Sequence, residues 1–151
     1  MEIQDLLNEL GQQTGLGSLR LNEQRVCRLV FDDRLTVDIE ALADNQRFFI
    51  HAVVGQAPVE GREAAFAELL AANLFGQDTG GACLSLNRNH DEILLFKEFR
   101  ADETDYLKFS SALEMFLNRL DHWKNRLLSA DVGSSFTSDA AIILSNSFIR
   151  A

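Results

Sequence analysis

Between Leu19 and Val54 apolar residues recur at every second position, whereas on either side of that stretch they recur every three or four. Leu35, Val37 and Ile39 alternate with Thr36, Asp38 and Glu40. Phe48, Ile50, Ala52 and Val54 keep the same beat, and Val26 to Phe31 and the pair Leu19 and Leu21 join them. A period of two puts alternate side chains on opposite faces of a strand. The turn-forming pairs Asn22-Glu23, Asp32-Asp33 and Asp44-Asn45 separate these runs by gaps too short for a crossover, so neighbouring strands pair antiparallel. The stretch predicts a meander of three or four strands.

The flanks predict helices. Ile3, Leu6, Leu7 and Leu10 form an i, i+3, i+4, i+7 stripe, which Gly11 to Gly17 ends. Beyond Gly55 to Gly61, which holds the only proline, a second helix carries Phe66, Leu69, Leu70 and Leu74. Ala64, Ala65, Ala67, Ala71 and Ala72 keep its profile thin enough for another helix to approach. Leu84 and Leu86, a polar turn from Asn87 to Asp91, and the alternating Ile93, Leu95, Lys97 and Phe99 predict a hairpin returning to the sheet. A long helix follows from about Glu103 to Ser129, striped by Tyr106, Phe109, Leu113, Phe116, Leu117, Leu120, Trp123 and Leu127. The fold class is α+β: an antiparallel twisted sheet packed with three helices, in the order α-β-β-β(-β)-α-β-β-α. Residues 1–130 read as one domain. Residues 131–151, where Gly-Ser-Ser-Phe-Thr-Ser-Asp precedes an apolar run from Ala140 to Leu144, read as a loosely held tail.

The chemistry-bearing residues exclude more than they suggest. A net charge of −9 opposes binding to phosphate backbones and anionic bilayers, so neither nucleic acid nor membrane is an expected partner. Acids follow Met1 where a secretory leader carries Lys or Arg, and the densest apolar run, Phe48 to Val54, is too short to span a bilayer; a cytoplasmic protein is expected. Gly76 to Gly81 reads GQDTGG, but a phosphate loop leads from a strand into a helix and is followed by Lys-Ser/Thr. Here a helix precedes and a strand follows, so the stretch is a turn. Gly76 stands at a helix end, Gly80-Gly81 lead into a strand, and Leu74-Phe75 look buried. His51, His90 and His122 lack ligand spacing, and Cys27 and Cys83 read as small core residues with no CxxC partner. Asp32-Asp33 reads as a hairpin turn and Asp102-Glu103 as an acidic first helical turn. No metal, cofactor or catalytic residue is expected.

Some strands are apolar in both phases. Val26 and Val30 stand against Cys27, Leu29 and Phe31, and Phe49 and Val53 stand against Phe48 and Ile50. A sheet with helices on one side buries one phase only, so the other needs a cover. That cover is either a further piece of this chain or a partner, since apolar faces and open sheet edges accept extended peptides.

Taken together these residues resemble the class I type III secretion chaperones, the Tir chaperone (CesT) family. The likeness runs from Ile3 to Leu128. It includes Gly15-Leu16-Gly17, Leu19-Arg20-Leu21-Asn22-Glu23, Phe31-Asp32-Asp33, Phe49 to Gly55 with Pro58, and most specifically Leu69-Leu70-Ala71-Ala72-Asn73-Leu74-Phe75-Gly76 with Thr79-Gly80-Gly81. The resemblance implies a non-enzymatic homodimer that uses no nucleotide. It would bind the N-terminal chaperone-binding segment of secreted effectors in extended form and keep it ready for the secretion ATPase. It also implies effector-binding patches on the first helix and nearby strands, at Ile3, Leu6, Leu7, Leu10, Leu19, Leu21, Leu29 and Phe31. The dimer contact would lie on the second helix, at Phe66, Leu69, Leu70 and Leu74. A peptide-binding or regulatory α+β adaptor unrelated to secretion, and an enzyme using Asp or His, are the alternative readings.

Overall fold

The alternating segments pair as their turn chemistry directs. In the computed structural model, which describes residues 1–130 and 149–150, β1 (Val26–Phe31), β2 (Leu35–Ala41) and β3 (Arg47–Gln56) form the antiparallel meander. Asp32 and Asp33, both at φ 53°, make the first turn; Asn45, at φ 55°, serves the second. The hairpin of β4 (Cys83–Asn87) and β5 (Glu92–Arg100) joins through β5, which pairs with β3. A short β6 (Ile149–Arg150) lies against β1 and completes the order β4-β5-β3-β2-β1-β6.

Three helices cover one face of this sheet: α1 (Ile3–Thr14), α2 (Arg62–Ala72) and α3 (Tyr106–Ala130). Asp105 caps α3, its carboxylate accepting the Lys108 N–H at 2.8 Å and its carbonyl the Phe109 N–H at 3.0 Å. From there α3 crosses β2 and β3 with α1 beside it, and α2 packs on β4. The stripe of α3 is buried from Phe109 to Trp123, with Tyr106 and Leu127 half-buried at its ends, and Phe109 meets Phe48 and Phe99 in an aromatic cluster with centroids 5.0–5.8 Å apart. The phases Cys27/Leu29/Phe31, Leu35/Val37/Ile39, Phe48/Ile50/Ala52/Val54 and Ile93/Leu95 all face the helices and are buried.

Three local details refine or change the expectations. First, α1 runs to Thr14 and ends inside the expected Gly11–Gly17 stretch, with Gly15 at φ 74° as its cap. Gly11 serves a close approach instead: its carbonyl accepts the Gly17 N–H at 3.2 Å, and a Cβ there would lie 1.9 Å from the Gly17 carbonyl oxygen. Second, Leu19 and Leu21 form no strand. The segment is held beside β1 by Asn22, whose backbone N–H donates to the Val26 carbonyl (3.0 Å) and whose Oδ1 accepts the Val26 N–H (2.9 Å). Third, α2 ends at Ala72 rather than at Gly76, and a 3-10 turn, Leu74–Gly76, follows. The tail reading falls mainly on residues 131–148 and 151, outside the described residues.

Candidate interaction surfaces

The Gly-rich corner is built to hold α2, β4 and α3 together. Asn73 is the link: its Nδ2 donates to the Leu84 carbonyl at 2.9 Å, and its Oδ1 accepts the Leu84 N–H at 2.8 Å. One amide thus does for the outer edge of β4 what a neighbouring strand would do. Thr79, fully buried, donates to the Ala82 carbonyl at 2.6 Å, and Trp123 Nε1 donates from α3 to the Asp78 carbonyl at 3.1 Å. Gly80, at φ 63°, lies against Met115, whose Cγ would be 2.4 Å from any Cβ added there. The corner is a structural joint, as the motif argument required.

The same joint pushes apolar side chains outward. Phe75 sits at φ 53°, a left-handed conformation that bulky residues avoid. It is 89% exposed, beside Leu74 at 57% and Leu70 at 72%. The reading of Leu74-Phe75 as a buried pair is therefore corrected: the tight turn directs both to solvent. Behind them lies an apolar cleft of about 160 Å³ between α2 and the β4–β5 hairpin, lined by Phe66, Leu69, Leu70, Leu84, Leu86 and Ile93. Of the four residues expected at a dimer contact, Leu70 and Leu74 are exposed, Phe66 is half-buried and Leu69 is buried. Phe75 was missed because nothing local in the sequence signals a left-handed phenylalanine.

The sheet face away from the helices carries the second apolar phase. No element lies over it among the described residues. Phe49 and Phe96 meet at 6.3 Å between centroids, with Leu94, Val26 and Val30 half-buried and Val53 41% exposed on the same face. Polar pairs accompany this strip. Arg28 grips Asp38 with two bonds of 2.7 Å, Arg47 meets Glu98 at 3.3 Å, and His51 Nε2 lies 3.1 Å from Glu40. His51 is thus a sheet-surface residue.

The residues expected to grip a bound segment lie elsewhere. Leu6, Leu7 and Leu29 are fully buried, Ile3, Leu10, Leu19 and Phe31 nearly so, and Leu21 is half-buried. Within this chain α3 and the sheet cover the stripe of α1, and the loop after α1 folds back over its end. Cys83 is also corrected, being exposed on β4 while Cys27 is buried on β1. Four strand spacings of about 4.8 Å separate those strands, which rules out a bridge within the chain.

Nothing in this geometry converges on catalysis. Among the described residues no three His, Cys, Asp or Glu side chains are grouped to hold a metal ion, and no helix is long and apolar enough to cross a membrane. The shifted carboxylates belong to surface ion pairs and turns: Arg62 holds Asp91 below the usual carboxylate range, Arg100 does the same for Asp102, and the Gln46 N–H for Asp44.

Comparison with known proteins gives the same architecture a lineage. The family model described as "Tir chaperone protein (CesT) family" matches residues 5–124. The Tir chaperone of Escherichia coli O157:H7 is 26% identical over 117 residues, covering 78% of this chain and 74% of its own. The transcriptional anti-antiactivator ExsC of Pseudomonas aeruginosa is 28% identical over 134 residues, covering 86% and 88%. Among solved structures, a chain of the ExsC–ExsE complex superposes with a TM-score of 0.69 at 23% identity, covering 82% of this chain and 91% of its own.

Proposed function

Since the chain belongs to the Tir chaperone (CesT) family of type III secretion chaperones, which are non-enzymatic and bind secreted effectors, we propose how this member does so. It acts in the bacterial cytoplasm as a homodimer. It holds an extended segment of its effector on the sheet face away from the helices and along the β1 edge. The observation that carries this reading is apolar surface left over by an otherwise closed core: the strip of Phe49, Phe96, Leu94 and Val53 on one side, and the ridge of Leu70, Leu74 and Phe75 on the other. The strip has the character of a peptide-docking face, apolar residues accompanied by polar pairs. The ridge, thin with alanine along α2 and backed by the apolar cleft, suits an isologous contact with a second copy. The residues first considered for effector binding, Ile3, Leu6, Leu7, Leu10, Leu19, Leu21, Leu29 and Phe31, then form the wall behind the docking edge.

A disordered segment loses conformational entropy on binding, and several anchors spread along its path offset that loss. The chain is thus a holder. Delivery of the held segment to the secretion ATPase follows as its downstream contact.

The test is co-expression of the full chain with a secreted protein of the same bacterium, followed by limited proteolysis of the complex. The reading requires that an N-terminal segment of the secreted protein be protected, and that Phe96→Glu abolish the protection while the chain stays folded. Protection that survives Phe96→Glu would move the docking face elsewhere. The relative named as an anti-antiactivator favours a second reading, in which the held segment belongs to a transcriptional regulator; affinity for such a regulator rather than for an effector separates the two.

A further inference from the structure

The β1 edge is closed in two different ways. At its start, Asn22 satisfies both backbone groups of Val26. On the opposite side of the strand the Arg25 carbonyl accepts the Ala41 N–H, at 3.0 Å, so Arg25, Cys27, Leu29 and Phe31 direct their backbone groups toward β2. By alternation, Val26, Arg28 and Val30 direct theirs outward. At the far end, that outward edge meets β6, where Val30 faces Arg150 and Phe31 faces Ile149. Asn22 is four residues from Val26, a local and permanent cap. β6 comes from the other end of the chain.

We propose that β6 is a displaceable occupant of the β1 edge, holding the place that an extended segment of a bound protein takes. Three observations support this. Among the described residues β6 is the outermost strand and pairs with β1 alone, through Val30–Arg150 and Phe31–Ile149, so its release breaks no other ladder of the sheet. The chain is long enough for the return: Asp121 of α3 pairs with Arg34 in the β1–β2 turn, α3 ends at Ala130, and the number of residues before Ile149 allows a reach of at most about 60 Å. Finally, Val30 has a single outward row of backbone groups, so β6 and an incoming strand exclude each other. The fraction of molecules with β6 released then scales the apparent affinity for any strand that binds there. The proposal rests on the chaperone reading only in naming the competitor, an effector segment; the guarded edge can be tested without it.

The experiment uses the full chain and, as probe, a fluorescent synthetic peptide copying residues 139–151. Arg150→Pro removes the N–H that faces Val30 and leaves the rest of the sheet intact, and Arg150→Ala keeps it. Arg150→Pro is expected to raise the Val30 amide exchange rate about tenfold, the worth of one or two backbone hydrogen bonds. β3 and β5 amides should be unchanged, and peptide affinity should rise by the same factor. Arg150→Ala is expected to resemble the parent in both. A second variant, Val30→Cys/Arg150→Cys in a Cys83→Ser background, joins positions whose Cα atoms lie about 5.5 Å apart in such a pair. When oxidised it should bind no peptide, and reductant should restore binding. Unchanged Val30 exchange in Arg150→Pro would overturn the proposal, as would equal peptide binding by the oxidised and reduced forms. If both arms succeed while no secreted protein is held, the guard stands and the chaperone reading of its competitor fails.

Discussion

Asn73 explains at the level of single atoms why the corner after α2 has the sequence it does. Its side chain donates to Leu84 through Nδ2 and accepts from it through Oδ1, and a carboxamide sets those two atoms side by side without a charge. Asn73→Asp keeps the acceptor, loses the donor and sets a carboxylate against the Leu84 carbonyl, so it should cost about 1–3 kcal/mol in denaturant unfolding. Gly11→Ala is a harder case, because the clashing atom is a backbone oxygen that has no rotamer to move to. It should destabilise by about 1–3 kcal/mol, with excess hydrogen exchange confined to residues 11–19. The cysteines differ in the same concrete way. Burial pushes the Cys27 thiol up, whereas Cys83 is open to solvent. Mass spectrometry after brief alkylation should find Cys83 modified and Cys27 intact until the chain unfolds.

Among the elements, those with long periodic patterns were legible in the sequence: β1 to β3, the β4–β5 hairpin and α3 all lie where alternation or the 3.6-residue stripe put them. The segment Leu19–Leu21 was not, because two alternating leucines look alike whether a strand pairs beside them or one asparagine amide does. The burial of α1 was half legible. Its stripe of Ile3, Leu6, Leu7 and Leu10 shows which side is apolar but not whether a partner or α3 covers it, and here it is the chain's own core. Hence Leu7→Asp is expected to unfold the protein, at a cost on the order of 4 kcal/mol or more, instead of selectively abolishing partner binding. Circular dichroism decides between these, since a docking residue would leave the spectrum unchanged. The exposed ridge was the least legible feature, since a helix end followed by Leu-Phe-Gly signals a turn without its direction.

For the molecule as a whole, the two apolar surfaces lie on different elements, so the proposed self-association and segment binding should be separable. Leu70→Arg places a charge in the middle of the ridge and should halve the mass measured by light scattering while leaving the thermal transition of the protomer in place. Acid should act differently. Asp44, Asp91 and Asp102 are held below their ordinary range, so what they contribute is present above the unfolded carboxylate value near 3.9 and disappears as the pH falls through their folded values. All three are solvent-exposed and screened, so the effect is small. Stability should be level from pH 7 to about 5 and decline below about 4, by denaturant titration at each pH.

Phe75 carries one further consequence. Holding a benzyl side chain in a left-handed backbone costs about 1–2 kcal/mol that glycine would not incur. Phe75→Gly should therefore raise the melting temperature of the protomer while weakening the proposed dimer. At this position thermal hardiness and sociability pull in opposite directions, and a screen for heat resistance alone would select molecules that have lost their companions.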